Sequence, residues 1–232
     1  MKTKIQKTIT ITTVEDWFCA APPQGGKQQW RDGYSAKELA QLVIENKSEF
    51  DNLIQGVINE AGIKGCNTFE CEPEACTRLP YSHRGPRKHD LLLRNKNVVI
   101  GIEAKAIEAF GDDKSGSEDK EKRLKWMREM LFPNSNESEI RNIPYQLLTG
   151  ISGTLLEAKK NKANNCIFLV LIFKRDKENI KNIEALNKVT EMLGNEKGSL
   201  IRVCETNDME EKRIRCWVKK RIIEIPAIRI SQ

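Results

Sequence analysis

The sequence predicts an α/β fold in which helices cover a mixed β-sheet. Three observations carry this. Helix-type and strand-type hydrophobic patterns follow one another in the order helix, strand, strand, strand, helix, strand, with additions at both ends. The run Cys166–Phe173 is apolar at every position, as expected of a strand buried on both faces at the centre of a sheet. Gly150 and Gly153 thin one side of an otherwise regular helical stripe, which lets that helix approach a sheet closely. At 232 residues and 39% hydrophobic content the chain can bury a core of its own, so one domain over residues 1–232 is expected. Within it we distinguish an N-terminal arm (1–34), a core (35–174) and C-terminal additions (175–232).

The arm is irregular and polar, with Ala21-Pro-Pro-Gln-Gly-Gly26 as a clear loop. Trp17, Phe18, Trp30 and Tyr34 are read as anchors that pin it to the domain, with base stacking as the alternative. Ser35-Ala-Lys-Glu38 reads as a capping box that opens a helix. Leu39, Leu42 and Val43, then Phe50, Leu53, Ile54, Val57 and Ile58, give apolar stripes over residues 35–61, as one broken helix or two in sequence. Cys66–Tyr81 is strand-like with turns. His89–Arg94 and Val98–Ala106 are strands joined by a turn at Asn95–Asn97. A charged loop, Gly111–Lys122, leads into a helix bearing Leu124, Met127 and Leu131, and 134–142 reads as polar loop. Pro144 suits the first turn of a helix running to about Lys160. After the apolar strand, a helix near 178–193 and strands at Ser199–Cys204 and Ile214–Ile225 complete the chain.

Composition narrows the function. No apolar run approaches the roughly 18 residues of a membrane helix, and the start shows no secretory signal. The 39 Lys+Arg against 33 Asp+Glu give a net charge of +6, which weakly favours an anionic partner. Seven cysteines and no export signal point to reduced thiols and a cytoplasmic setting. Cys66, Cys71, Cys76 and His83 are spaced by four, four and six residues without a C-x-x-C, a poor zinc pattern. With two histidines, a Ser-His-Asp triad is not expected. No Walker lysine loop, G-x-G-x-x-G or G-x-S-x-G occurs.

The informative stretch is Gly85–Ala106. As an antiparallel hairpin with its turn at Lys96–Asn97, Asn95 pairs with Val98, Arg94 faces Val99, Leu92 faces Gly101 and Asp90 faces Glu103. Period-two alternation sends Asp90, Glu103 and Lys105 to one side and Val98, Ile100, Ile102 and Ala104 to the other. Opposed residues have Cβ atoms about 4.5–5.5 Å apart, and two like charges there need a compensating group. A divalent cation compensates well, and the Ala104 carbonyl would add another oxygen. Lys105 would steady transition-state charge or orient the attacking water. Glu-x-Lys recurs at Glu45-Asn-Lys47, Glu118-Asp-Lys120, Glu157-Ala-Lys159 and Glu210-Glu-Lys212. Only Glu103-Ala-Lys105 follows an apolar strand with an acid in register. The alternative is an edge salt bridge of Lys105 with Asp90 or Glu103, which an apolar strand argues against.

Asp90 followed by Glu103-Ala-Lys105, set in that order of elements, resembles the PD-(D/E)XK nucleases, a superfamily that includes many restriction endonucleases and DNA-repair nucleases. The resemblance covers about Ser35 to Lys174. It implies a restriction-endonuclease-like αβββαβ core and magnesium-dependent phosphodiester hydrolysis, with Asp90 and Glu103 as metal-binding acids and Lys105 as catalytic lysine. His89, rather than proline, precedes Asp90; Pro86 lies four positions upstream of it. Trp30–Ala40 is also similar to the opening of an uncharacterised bacterial family of this type.

Further candidates follow. Relatives place a glutamine on the helix after the hairpin near the site, which nominates Gln146, against a plain surface amide. Some use an acid from the first helix, which nominates Glu60 over Glu45. Arg78, His83, Arg84, Arg87 and Lys88 form a basic stretch suited to nucleic-acid phosphates, and Arg141 suits a scissile-strand phosphate, against a solvated loop and a local salt bridge. His89, next to Asp90, is expected on the opposite strand face. The expected activity is DNA hydrolysis, with a homodimer attractive for cutting both strands. The alternative is a nucleic-acid- or protein-binding module on the same fold without useful catalysis.

Overall fold

The computed structural model describes residues 2–5, 10–82, 85–111, 116–174, 180–194, 198–203 and 212–225. Among these residues seven strands form one mixed sheet: β1 (Lys2–Ile5), β2 (Thr68–Thr77), β3 (Arg87–Arg94), β4 (Val98–Lys105), β5 (Asn165–Lys174), β6 (Ser199–Val203) and β7 (Lys212–Glu224). Their spatial order is β1-β2-β3-β4-β5-β7-β6. β3 runs antiparallel to both of its neighbours, β2 and β4, and β4, β5 and β7 run parallel. A parallel neighbour needs a crossover. Between β4 and β5 it is made by α4 (Glu118–Leu131), α5 (Glu137–Arg141) and α6 (Tyr145–Lys160). β4 is buried at all eight positions and β5 from Cys166 to Phe173, which explains the absence of polar–apolar alternation in the latter.

Helices cover both faces. On one, α1 (Val14–Ala20), α2 (Ser35–Ile44) and α3 (Lys47–Glu60) set Trp17, Leu39, Phe50 and Ile54 against Leu91, Leu93, Ile100, Ile102 and Leu169 of the sheet. On the other, α4 to α6 and α7 (Ile180–Met192) set Met127, Ile140, Leu147 and Leu186 against Leu92, Val99, Phe168 and Val170. No helix among the described residues is long and apolar enough to cross a membrane.

The predicted close approach of α6 has a definite geometry. A Cβ on Gly150 would lie 2.5 Å from the Phe168 ring, and one on Gly153 would lie 2.9 Å from His89 Nε2. Across the contact, a Cβ on Gly101 of β4 would collide with Thr154 Oγ1 of α6. The helix is therefore seated by missing side chains on both partners. Gly101→Ala is expected to cost about 1–3 kcal/mol by overpacking, read as a lower urea midpoint; an unchanged midpoint would mean that α6 yields freely.

Three local readings are corrected. The arm is not irregular throughout, since it contributes edge strand β1 and helix α1. A capping box between Thr13 and Asp16 starts α1, and Ile11, Val14 and Trp17 bury one side of it. With seven residues it shows too few apolar positions for periodicity to register. The same holds for α5, inside the expected polar loop, where Asn136 and Glu139 form a capping box and Ile140 is buried. At α2 the reverse occurs. Tyr34 is the N-cap without a side-chain bond, and the Glu38 carboxylate accepts from the Gly33 N–H instead.

Candidate active site

The hairpin has the register that its turn predicts. Asn95 and Val98 exchange backbone hydrogen bonds, Arg94 pairs with Val99, and Leu92 pairs with Gly101. The ladder ends at Leu91–Ile102. One step further, where register would set Asp90 abreast of Glu103, the strands part. The Ala104 N–H donates to Asp90 Oδ2 at 2.7 Å, so a carboxylate takes the place of a backbone acceptor. Because the N–H and C=O of one extended residue point to the same side, the Ala104 carbonyl faces this gap too.

A break in the pleat produces the arrangement. Glu74, opposite Asp90 on β2, has φ of 49°, a backbone conformation rare outside glycine, and neither residue is in the ladder. Before the break, Phe69 and Cys71 of β2, with Leu93 and Leu91 of β3, face the α1–α3 layer. Beyond it, Ala75 faces the other layer, and its partner His89 packs against Gly101 and Gly153. The expectation that His89 points away from the Glu103 face is therefore overturned, because alternation does not run through Asp90. His89 is completely buried, and neither ring nitrogen has a hydrogen-bond partner among the described residues. Burial, then the charges of Arg87 and Arg94, hold its pKa well below the usual histidine value, so it is neutral.

Glu103 is the hub. It is 1% exposed, and both oxygens are engaged. Oε1 accepts from Lys105 Nζ at 2.7 Å and from Gln146 Nε2 at 2.5 Å, while Oε2 accepts from the Arg87 guanidinium. Gln146 is itself fixed by Gly111, whose N–H donates to Gln146 Oε1 at 2.8 Å. The nominated glutamine is thus inside the cluster and not a surface amide. Lys105 is nearly buried and lies 5.6 Å from the centre of the Phe110 ring.

The two acids hold unequal charge. For Glu103, burial favours the neutral form, but Arg87 and Lys105 outweigh it and hold the pKa below the usual value. For Asp90, burial and then the negative charge of Glu103 push the pKa up to about 8, against the pull of Lys105 and the Ala104 N–H. Burial opposes the charge on Lys105, yet Glu103 and Asp90 raise its pKa above normal. Near neutral pH the metal-free cluster therefore holds one carboxylate, one protonated carboxyl and two cations.

A family model described as a domain of unknown function, DUF6946, matches residues 10–221. The chain is a member of the DUF6946 family. No curated protein and no solved structure matches it. The matched span of this DUF6946 domain contains the whole cluster, from Arg87 and Asp90 to Gln146, and leaves out β1.

Other nominated residues of the DUF6946 chain lie elsewhere. Glu60 is bound by Arg221 and Lys219 of β7, beneath the α1–α3 layer, and does not join Asp90 and Glu103. The Arg221 hydrogen bond, with the charges of Arg221 and Lys219, holds its pKa below the usual value against the effect of burial. Arg141 is held by Glu121 and Glu137, the local salt bridge weighed against a phosphate role. Lys88 lies 3.3 Å from Glu74. Arg84 and His83 fall outside the described residues. Arg87 is the main revision: read as a phosphate contact, it is bound to Glu103 instead. The sequence signal was hidden, since strict alternation sends Arg87 to the face opposite Asp90, and only the pleat break turns it inward. Of the cysteines weighed for zinc, Cys66 and Cys71 are buried and Cys76 is exposed.

Proposed function

We propose that this chain is a divalent-cation-dependent nuclease that hydrolyses the phosphodiester backbone of DNA, on a restriction-endonuclease-like core. The observation that carries the reading is the meeting of Asp90, Glu103 and Lys105 at the parting of two central strands. The donor set suits a hard cation: Asp90, Glu103 and the Ala104 carbonyl offer only oxygen. Among the described residues no group of three or more His, Cys, Asp or Glu is placed to hold a metal, so a bound ion would rely on water for its other ligands, as Mg2+ readily does. When bound, such an ion lowers the pKa of its water and draws charge from a phosphoryl oxygen. The chain's own residues do the rest. Gln146 and Lys105 hold Glu103 Oε1 in one orientation, and the Phe110 wall keeps bulk water from Lys105. In that setting the Lys105 ammonium stabilises developing negative charge far better than it would in water.

Cleavage of plasmid and single-stranded DNA, with magnesium or with a chelator, tests this. Lys105→Ala is expected to lose roughly 100-fold or more of a magnesium-dependent activity. Absence of such activity in the wild-type chain, or equal rates in the variant, would sink the reading. One observation favours the second reading, a binding module: every oxygen of Glu103 already has a partner within the chain. DNA binding without manganese binding would support it.

A further inference from the structure

We propose that Arg87 is a displaceable stand-in for the divalent cation, closing the site by occupying the Glu103 oxygen that the metal needs. The inference rests on the nuclease reading only in taking Glu103 as a metal ligand.

Three observations carry it. First, the partners of Glu103 are divided between its oxygens. Among the described residues, Oε1 is shared by Lys105 and Gln146, whereas Oε2 has Arg87 alone. Withdrawal of one side chain therefore frees a whole oxygen, and no other single withdrawal does. Second, Lys105 and Arg87 are held differently. Lys105 is on the same strand as Glu103, in the field of Asp90 and Glu108, with Phe110 beside it. Arg87 reaches in from the first position of β3, along the groove left by Gly150 and Gly153, and its side chain remains 13% exposed. Third, the inward pose of Arg87 is incomplete. Its Nε is buried without a hydrogen-bond partner among the described residues, a deficit that outward movement into water would relieve. A guanidinium and a dication also repel each other across one carboxylate, so the two do not share Glu103 comfortably.

The device is a contact built into the fold that keeps a buried carboxylate ionised and oriented until metal arrives. It sets a threshold for metal: occupancy begins only where cation binding outweighs the Arg87–Glu103 pair. Arg87 then has the freedom of a flexible side chain at a strand start, not of a core residue.

Calorimetric titration of the full chain with Mn2+ tests this, using Arg87→Met, which keeps length and loses charge, and Arg87→Lys, which keeps charge. Thermal melts confirm folding of both. Manganese is expected to bind Arg87→Met about 10-fold more tightly than wild type, with Arg87→Lys close to wild type; about 10-fold corresponds to roughly 1.4 kcal/mol. The magnesium concentration for half-maximal DNA cleavage should fall in parallel. Unchanged or weaker manganese binding by Arg87→Met would overturn the proposal, even in a chain that cuts DNA. Tighter binding by Arg87→Met in a chain that cuts no DNA would uphold it while sinking the nuclease reading.

Discussion

Exchange of Glu103 for glutamine is expected to lower the stability of the metal-free protein by about 3–5 kcal/mol and to abolish magnesium-dependent cleavage. The substitution preserves shape, so no cavity arises. It removes the negative charge that faces Arg87 and Lys105, whose side chains are 13% and 8% exposed. Breaking a buried ion pair from one side leaves the other charge without compensation; here Lys105, held beside Phe110, is stranded, while Arg87 can turn out toward water. For a domain of this size each kcal/mol moves the melting temperature by about 2–4 °C, so a fall of roughly 10 °C is the readout. An unchanged melt would contradict the buried cluster; lost cleavage alone would not test it.

Asp90→Asn should act on stability in the opposite direction while also abolishing cleavage. The folded protein keeps the Asp90 proton to about pH 8, whereas an unfolded aspartate releases it near 3.8. Between those values the native state binds more protons than the unfolded chain, so stability falls as pH rises through this window. Above about pH 8 the folded protein holds an ionised, poorly compensated carboxylate beside Glu103. Asparagine removes that charge and keeps an oxygen for the Ala104 N–H. We expect Asp90→Asn to be more stable than wild type by about 1–3 kcal/mol at pH 8.5, a discount on the full shift because Asp90 is only partly buried by surface area. The difference should shrink toward pH 5. Magnesium is expected to stabilise wild type and not the variant. Equal melts of the two metal-free proteins at pH 8.5 would show that Asp90 ionises without strain.

Much of this site is legible in the sequence because a hairpin is a local object. The turn at Lys96–Asn97 fixes register, and register carries Asp90 and Glu103 to the same end of the hairpin, where the ladder stops one pair short of them. The apolar run Cys166–Phe173 and the glycines of α6 likewise carry their meaning within a few residues. What escapes is what depends on a departure from regularity. Glu74 has no composition that announces a positive φ, so the inversion of His89 and Arg87 is invisible to period-two counting. Arg87 consequently reads as part of a basic stretch, although its partner is 16 residues away on the next strand. Charge runs have the same weakness. Lys88 and Arg141 look available in the sequence, and only folding shows that Glu74, and Glu121 with Glu137, answer them.

The position of Glu103 and Lys105 on β4 has one more consequence. That strand is covered on both faces and paired along its whole length with β5. Its amides should therefore exchange with solvent deuterium only when the entire domain opens. Warming should then not yield a folded chain with an opened cluster: the geometry around Glu103 and the tertiary structure are expected to disappear together, in a single cooperative step.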